Sequence, residues 1–325
     1  MSRSAPHRSA AAPAAVPVCA LVSALVSAPV SAFVSAIIAS GLALLAGPTV
    51  AVAAPPTPSQ IVDRAPAADW RDVAPDDLLV MELAGGGQVA IELAPAFAPV
   101  HVANIRTLAR AGWFDGTSIN RVQDNYVVQW GDATERKPLP PGIAAHPSAE
   151  YDRPAAGSGF AALPYRDAYA AAAGHAGGWP AASDGDRAWL VHCYGMVGAG
   201  RNLDPDTGTG AELYAVIGHG PRHLDRNIAV VGRVLWGIEA LSTLPRGTEA
   251  LGFYATPGER VAIRSIRLAS GIPLAERPAF QVMRQGSPSF AAWLEARANR
   301  RDEFFQRPAG AADICNLQPP VRRRP

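Results

Sequence analysis

Apolar and polar residues alternate with a period of two along 78–83 (LLVMEL) and 88–93 (QVAIEL), and the two runs flank Ala84-Gly85-Gly86-Gly87. That alternation buries one face of each run, and the glycine-rich join predicts a β-hairpin. Over 95–112 the spacing changes: Val100, Ile105, Leu108 and Ala109 recur at helical intervals, so an amphipathic helix is predicted, with Gly112 as its stop. Strand patterns return at 118–122 (SINRV) and 126–130 (YVVQW), with Asp124-Asn125 as the turn between them. Further strands are predicted at 188–197, 212–218, 228–236 and 261–269, with a short helix over 238–244. The segment 287–306 opens with Ser-Pro-Ser and carries Trp293, Leu294 and Phe304 among charges, which predicts a C-terminal helix.

Many strands, with one helix near each end of the strand run, predict a mainly β fold: a closed antiparallel barrel capped by two helices. The domain reading is a leader over 1–53, an Ala/Pro-rich linker over 54–76, a barrel domain over 77–270 and a C-terminal extension with a helix over 271–325. Inside the barrel domain, 133–187 is rich in Pro, Gly, Ala and Tyr and reads as a long irregular insertion. No internal repeat is visible.

Composition adds exclusions. Among 325 residues, 29 basic and 28 acidic side chains give a formal charge of +1, too weak a field to draw nucleic acid or an anionic membrane. Arg322-Arg323-Arg324 reads as a solvated tail. The leader combines Arg3 and Arg8 with an acid-free apolar run over 19–45 and ends in Ala51-Val52-Ala53, a small-residue cleavage pattern that sets the mature start near Ala54. Export to the periplasm or outside the cell is the expectation, with an uncleaved N-terminal anchor as the alternative, since the run is long enough to span a bilayer. A cleaved chain would have no membrane partner and is expected to be a monomer. Cleavage leaves Cys193 and Cys315, which export permits to pair; the local pattern instead reads Cys193 as a small buried core residue and Cys315 as part of a loose tail. No metal or cofactor is implied. His219 and His223 lie in a Gly/Pro loop, and the glycines of 207–210 lack the lysine of a phosphate loop.

Phe114-Asp115-Gly116-Thr117-Ser118-Ile119-Asn120-Arg121-Val122, followed by Tyr126-Val127-Val128-Gln129-Trp130-Gly131-Asp132, resembles the signature of the cyclophilin family of peptidyl-prolyl cis/trans isomerases. Ala98-Pro99-Val100 through Asn104 to Leu108 is similar to a family helix, while Leu224-Asp225-Arg226-Asn227 and Val231-Gly232-Arg233-Val234 resemble a family loop and strand. The resemblance covers roughly 77–270. It implies that Arg121 carries the chemistry, that Gln129 orients it, and that Tyr126 is an aromatic floor for a proline ring. It further implies a peptide site formed by Ile119, Asn120, Val127, Gly198, Leu213, Tyr214, Leu224 and Ile228, with the register at Tyr214 open by a residue.

An arginine suits such chemistry. Rotating an X-Pro amide must break resonance worth about 18–20 kcal/mol. A guanidinium donating to the prolyl nitrogen as it pyramidalises binds the twisted amide better than either ground state. Proline-containing polypeptides are then the implied partners. Departures from the family pattern are Asn120 for histidine, Trp130 for glycine, Gly198 for an amide residue, Glu212 for glutamine and Ile228 for a position often held by histidine. They motivate a second expectation, a proline-peptide binding module or chaperone with weakened turnover.

Overall fold

The computed structural model describes residues 55–324, so the leader reading lies outside the described residues. In chain order the elements are α1 (Pro58–Arg64), β1 (Trp70–Asp72), β2 (Leu78–Leu83), β3 (Gln88–Leu93), α2 (Pro99–Arg110), β4 (Ser118–Val122), β5 (Val127–Gly131), β6 (Arg153–Pro154), β7 (Phe160–Ala162), β8 (Ala172–Ala176), β9 (Trp179–Ser183) and β10 (Arg187–Leu190). They continue with β11 (Met196–Ala199), β12 (Leu213–Val216), β13 (Val230–Trp236), α3 (Glu239–Ser242), β14 (Val261–Leu268), β15 (Phe280–Met283), α4 (Pro288–Ala298) and β16 (Val321–Arg323).

Eight strands close an antiparallel barrel in the order β11-β12-β5-β4-β14-β2-β3-β13. Closure leaves no unpaired sheet edge, and the inward residues of each strand fill the interior. Met81, Ile91, Ile119, Trp130, Leu213 and Val231 are all fully buried there, with α2 supplying Val102, Ile105 and Leu108, and α3 supplying Leu241. The predicted hairpin is β2–β3, paired from Leu78↔Glu92 to Glu82↔Gln88.

Four expectations need correction. The 133–187 segment is not irregular: with β10 it forms a five-stranded sheet, β6-β10-β9-β8-β7. Its strands are short and joined by glycine turns, Gly177 and Gly178 both having positive φ between β8 and β9, so no window long enough to show alternation exists. The 54–76 segment is folded rather than a linker. Thr57 caps α1 through a capping box with Gln60, and Ile61 and Trp70 pack with Met283, Phe290, Trp293 and Leu317. β1 joins β15 and β16 in a three-stranded sheet, so segments near both ends of the described residues build one flanking layer. The run 188–197 holds two strands, because the chain turns between Leu190 and Met196. Finally, Cys193 and Cys315 are joined by a disulfide. The tail is not loose: Ile314 is buried against the insertion sheet and Leu317 O accepts from His175 Nε2 at 2.7 Å.

A buried ion pair links the layers. Arg233 on β13 faces Glu92 on β3 in register and donates to it from Nε and Nη2 at 3.0 and 2.7 Å. It also donates to Gly178 O of the insertion at 2.9 Å, while Arg71 of β1 reaches the same carboxylate at 2.7 Å.

Candidate functional site on the barrel face

The site begins with a break in register. Ile119 pairs with Trp130, but the next pair is Arg121 with Gln129, so Asn120 is the extra residue of a β-bulge. A bulge bends its strand and re-aims the side chains after it. Here Ile119 stays in the barrel core and Arg121 emerges on the outer face, half-buried.

Arg121 is held on three sides. Nε donates to Leu251 O at 2.7 Å, Nη1 donates to Gln129 Oε1 at 3.0 Å and Nη2 donates to Gln123 Oε1. The guanidinium also lies 5.6 Å from the Tyr126 ring centroid and 5.3 Å from that of Phe253. Burial pulls its pKa below the usual arginine value, partly offset by Tyr126 and Glu212, and the group remains a cation.

Gln129 is oriented in turn. Its Nε2 donates to Glu212 Oε1 at 2.7 Å, which leaves Oε1 toward Arg121. Burial raises the pKa of Glu212, the Gln129 hydrogen bond opposes that rise, and Glu135 adds to it. Next to this Arg–Gln–Glu line is a cavity of about 120 Å³ lined by Arg121, Tyr126, Val127, Gln129, Gly200, Arg201, Tyr214, Leu224 and Ile228. Its walls mix aromatic and aliphatic surface with a few aimed donors, a pattern suited to a small apolar ring with one polar edge.

The cavity therefore gathers Arg121, Gln129, Tyr126, Val127, Tyr214, Leu224 and Ile228 from the sequence-predicted set. The remaining members are placed elsewhere. Ile119 and Leu213 point into the barrel core, because in each strand they are the alternate neighbours of outward residues. Asn120 lines a separate depression beside Phe253 and Tyr254; its side chain accepts from Ser118 Oγ at 2.6 Å and donates to Gly131 O at 3.2 Å. Gly198 lies beneath Tyr214, its cross-strand partner. A Cβ there would come within 2.3 Å of the Tyr214 hydroxyl, so the tyrosine ring occupies the space a side chain at 198 would need. Sequence reasoning missed Gly200 and Arg201 as lining residues, and treated Glu212 only as a departure. An acid at the head of the predicted strand 212–218, two residues before Tyr214, was the available signal.

Over residues 78–268 the chain matches the family described as cyclophilin type peptidyl-prolyl cis-trans isomerase/CLD. It belongs to the cyclophilin family. Among curated relatives, probable peptidyl-prolyl cis-trans isomerases of Brucella suis and Brucella abortus are 26% identical over 176 residues, covering 54% of this chain and 75% of theirs. Among solved structures, the cyclophilin AquaCyp293 from Hirschia baltica is 27% identical with a TM-score of 0.62, covering 78% of this chain and 93% of that one. The similarity to AquaCyp293 thus extends beyond the barrel domain. As a cyclophilin, the chain is a peptidyl-prolyl cis/trans isomerase acting on proline-containing peptides.

Proposed function

We propose that Arg121 is the catalytic residue of this isomerase and that the 120 Å³ cavity beside it receives the proline ring. One observation carries the assignment: a guanidinium fixed at the rim of a cavity walled by Tyr126, Val127, Tyr214, Leu224 and Ile228, with donors to spare. A guanidinium has five N–H groups. Three are committed to Leu251, Gln129 and Gln123, leaving one on each terminal nitrogen. Those two form a fork that bonds the carbonyl before the proline and the prolyl nitrogen once its lone pair leaves conjugation. The second contact exists only in the twisted amide, so it lowers the barrier rather than tightening the ground state. Uncatalysed exchange takes tens of seconds or more, which leaves ample room for acceleration.

Exported proteins are the proposed clients. The apolar leader with its small-residue end supports this, and so does the Cys193–Cys315 bridge, because disulfides persist in oxidising compartments.

The test is cis/trans exchange of an Ala-Ala-Pro-Phe peptide followed by NMR with substoichiometric protein. Wild type should accelerate exchange, and Arg121→Ala should lose about 10²–10³-fold of that acceleration. Equal rates for the two proteins would overturn the assignment.

A further inference from the structure

A line of buried polar groups runs from the pocket into the insertion sheet, and catalysis as described makes no use of it. The Tyr214 hydroxyl is 2.8 Å from His192 Nε2, and His192 Nδ1 is 3.0 Å from Asp225 Oδ1. That same carboxylate oxygen accepts the His192 backbone N–H at 2.9 Å. The other oxygen of Asp225 accepts from Arg222 Nε, and Arg222 makes a two-pronged contact with Asp167 at 2.9 and 3.1 Å. The side chains of His192, Asp225, Arg222 and Asp167 are 1%, 7%, 4% and 4% exposed. Burying so many polar groups is costly unless each is satisfied, and here each has its partner.

The Asp225 carboxylate holds a proton on His192 Nδ1 and leaves Nε2 facing the Tyr214 hydroxyl. Each group in the line has its partner, and the orientation of the Tyr214 ring is fixed from behind. The ring lines the cavity, lies over bare backbone at Gly198, and has the His192 ring stacked nearly parallel to it at 6.2 Å between centroids.

At the far end, Asp167 belongs to the segment between β7 and β8, inside the insertion. Asp225 lies between Leu224 and Ile228, the far wall of the cavity. We propose that the insertion sets the shape of the proline pocket through this line, making Asp167, Arg222, Asp225 and His192 positioning residues for binding of the prolyl ring. The proposal rests on the assignment of that cavity as the proline site.

The experiment is a double-mutant cycle on the full chain, read as the dissociation constant of the Ala-Ala-Pro-Phe peptide and as its exchange rate at saturation. Tyr214→Phe removes only the hydroxyl, and Asp167→Asn only the charge. Each alone should weaken binding about two- to tenfold, and Asp167→Asn, which lies outside the pocket, should leave the saturated rate within about twofold. In the Tyr214→Phe background, Asp167→Asn should add nothing. Equal weakening by Asp167→Asn in both backgrounds, or no weakening in either, would overturn the proposal. Should Asp167→Asn not fold, His192→Gln replaces it in the same cycle. Arg121→Ala run alongside separates the two claims: an unchanged saturated rate there sinks the catalytic assignment, whereas additive binding effects sink only the positioning line.

Discussion

Arg121 reaches the cavity because a single extra residue, Asn120, sits opposite the Trp130–Gln129 step. What the guanidinium does there depends on Gln129 facing it with an oxygen, and Gln129 does so because Glu212 takes its N–H₂. An ionised carboxylate can only accept, so it fixes the amide; a protonated one can donate and lets the amide turn over. The pKa of Glu212 is raised above 4.5, chiefly by burial. Ionisation is therefore completed at a higher pH than for a free glutamate, and activity should fall as pH drops through that raised range. Glu212→Gln, which can accept at any pH, should lose this acid limb in a pH profile of catalysed exchange; an unchanged profile would dissociate Glu212 from the site. The same raised pKa means that the folded protein holds more protons than the unfolded chain above pH 4.5, so Glu212 itself lowers stability as pH rises. At this scale Arg121, Gln129 and Tyr126 were legible because the motif spaces them. Ile119 and Leu213 were not separable from their pocket neighbours, since alternation says that two faces exist and only the bulge says which residue faces which way.

Among the elements, the barrel strands were legible from period-two patterning, and the insertion strands were not. β6 and β7 have two and three residues, too short for a period to show, and Gly177 and Gly178 break the β8–β9 hairpin, whereas β10 fell largely within the strand read over 188–197. Their place is fixed by long-range contacts, which a local reading cannot see. The C-terminal tail is the clearest case. Cys193 did read as buried core, yet its partner lies 122 residues away, and the sequence has no local mark of that pairing. Crossing over so long a loop, the bridge should contribute about 2–5 kcal/mol. Cys193→Ser with Cys315→Ser, or reduction of wild type, should therefore lower the denaturation midpoint clearly. Identical midpoints for oxidised and reduced protein would show that Ile314 and the His175–Leu317 hydrogen bond hold the tail without it.

Across the whole molecule, barrel, insertion and flanking layer meet at Glu92, where Arg233 and Arg71 converge. Burial raises the carboxyl pKa, and the charges of Arg233 and Arg71 more than reverse that, holding it below its usual value. Removing one member of such a pair strands the other without compensation. Glu92→Gln should destabilise the fold by about 3–5 kcal/mol in denaturant unfolding, and a loss under about 1 kcal/mol would mean the layers are held by apolar packing alone. The cyclophilin fold was legible from motif and pattern together, whereas this junction was not, since Arg233 reads in sequence as one member of a strand. The assembled layers hold the Arg121 guanidinium at the edge of the 120 Å³ cavity, and its proposed role makes a distinction that a single measurement can draw. Exchange spectroscopy on a saturating Ala-Ala-Pro-Phe peptide gives the bound-state cis/trans rate, and titration of the same samples gives the dissociation constant. For Arg121→Ala the expected result is a bound-state rate about 10²–10³-fold lower with affinity changed by less than about tenfold. A bound-state rate equal to that of wild type, whatever the affinity, would contradict catalysis by Arg121.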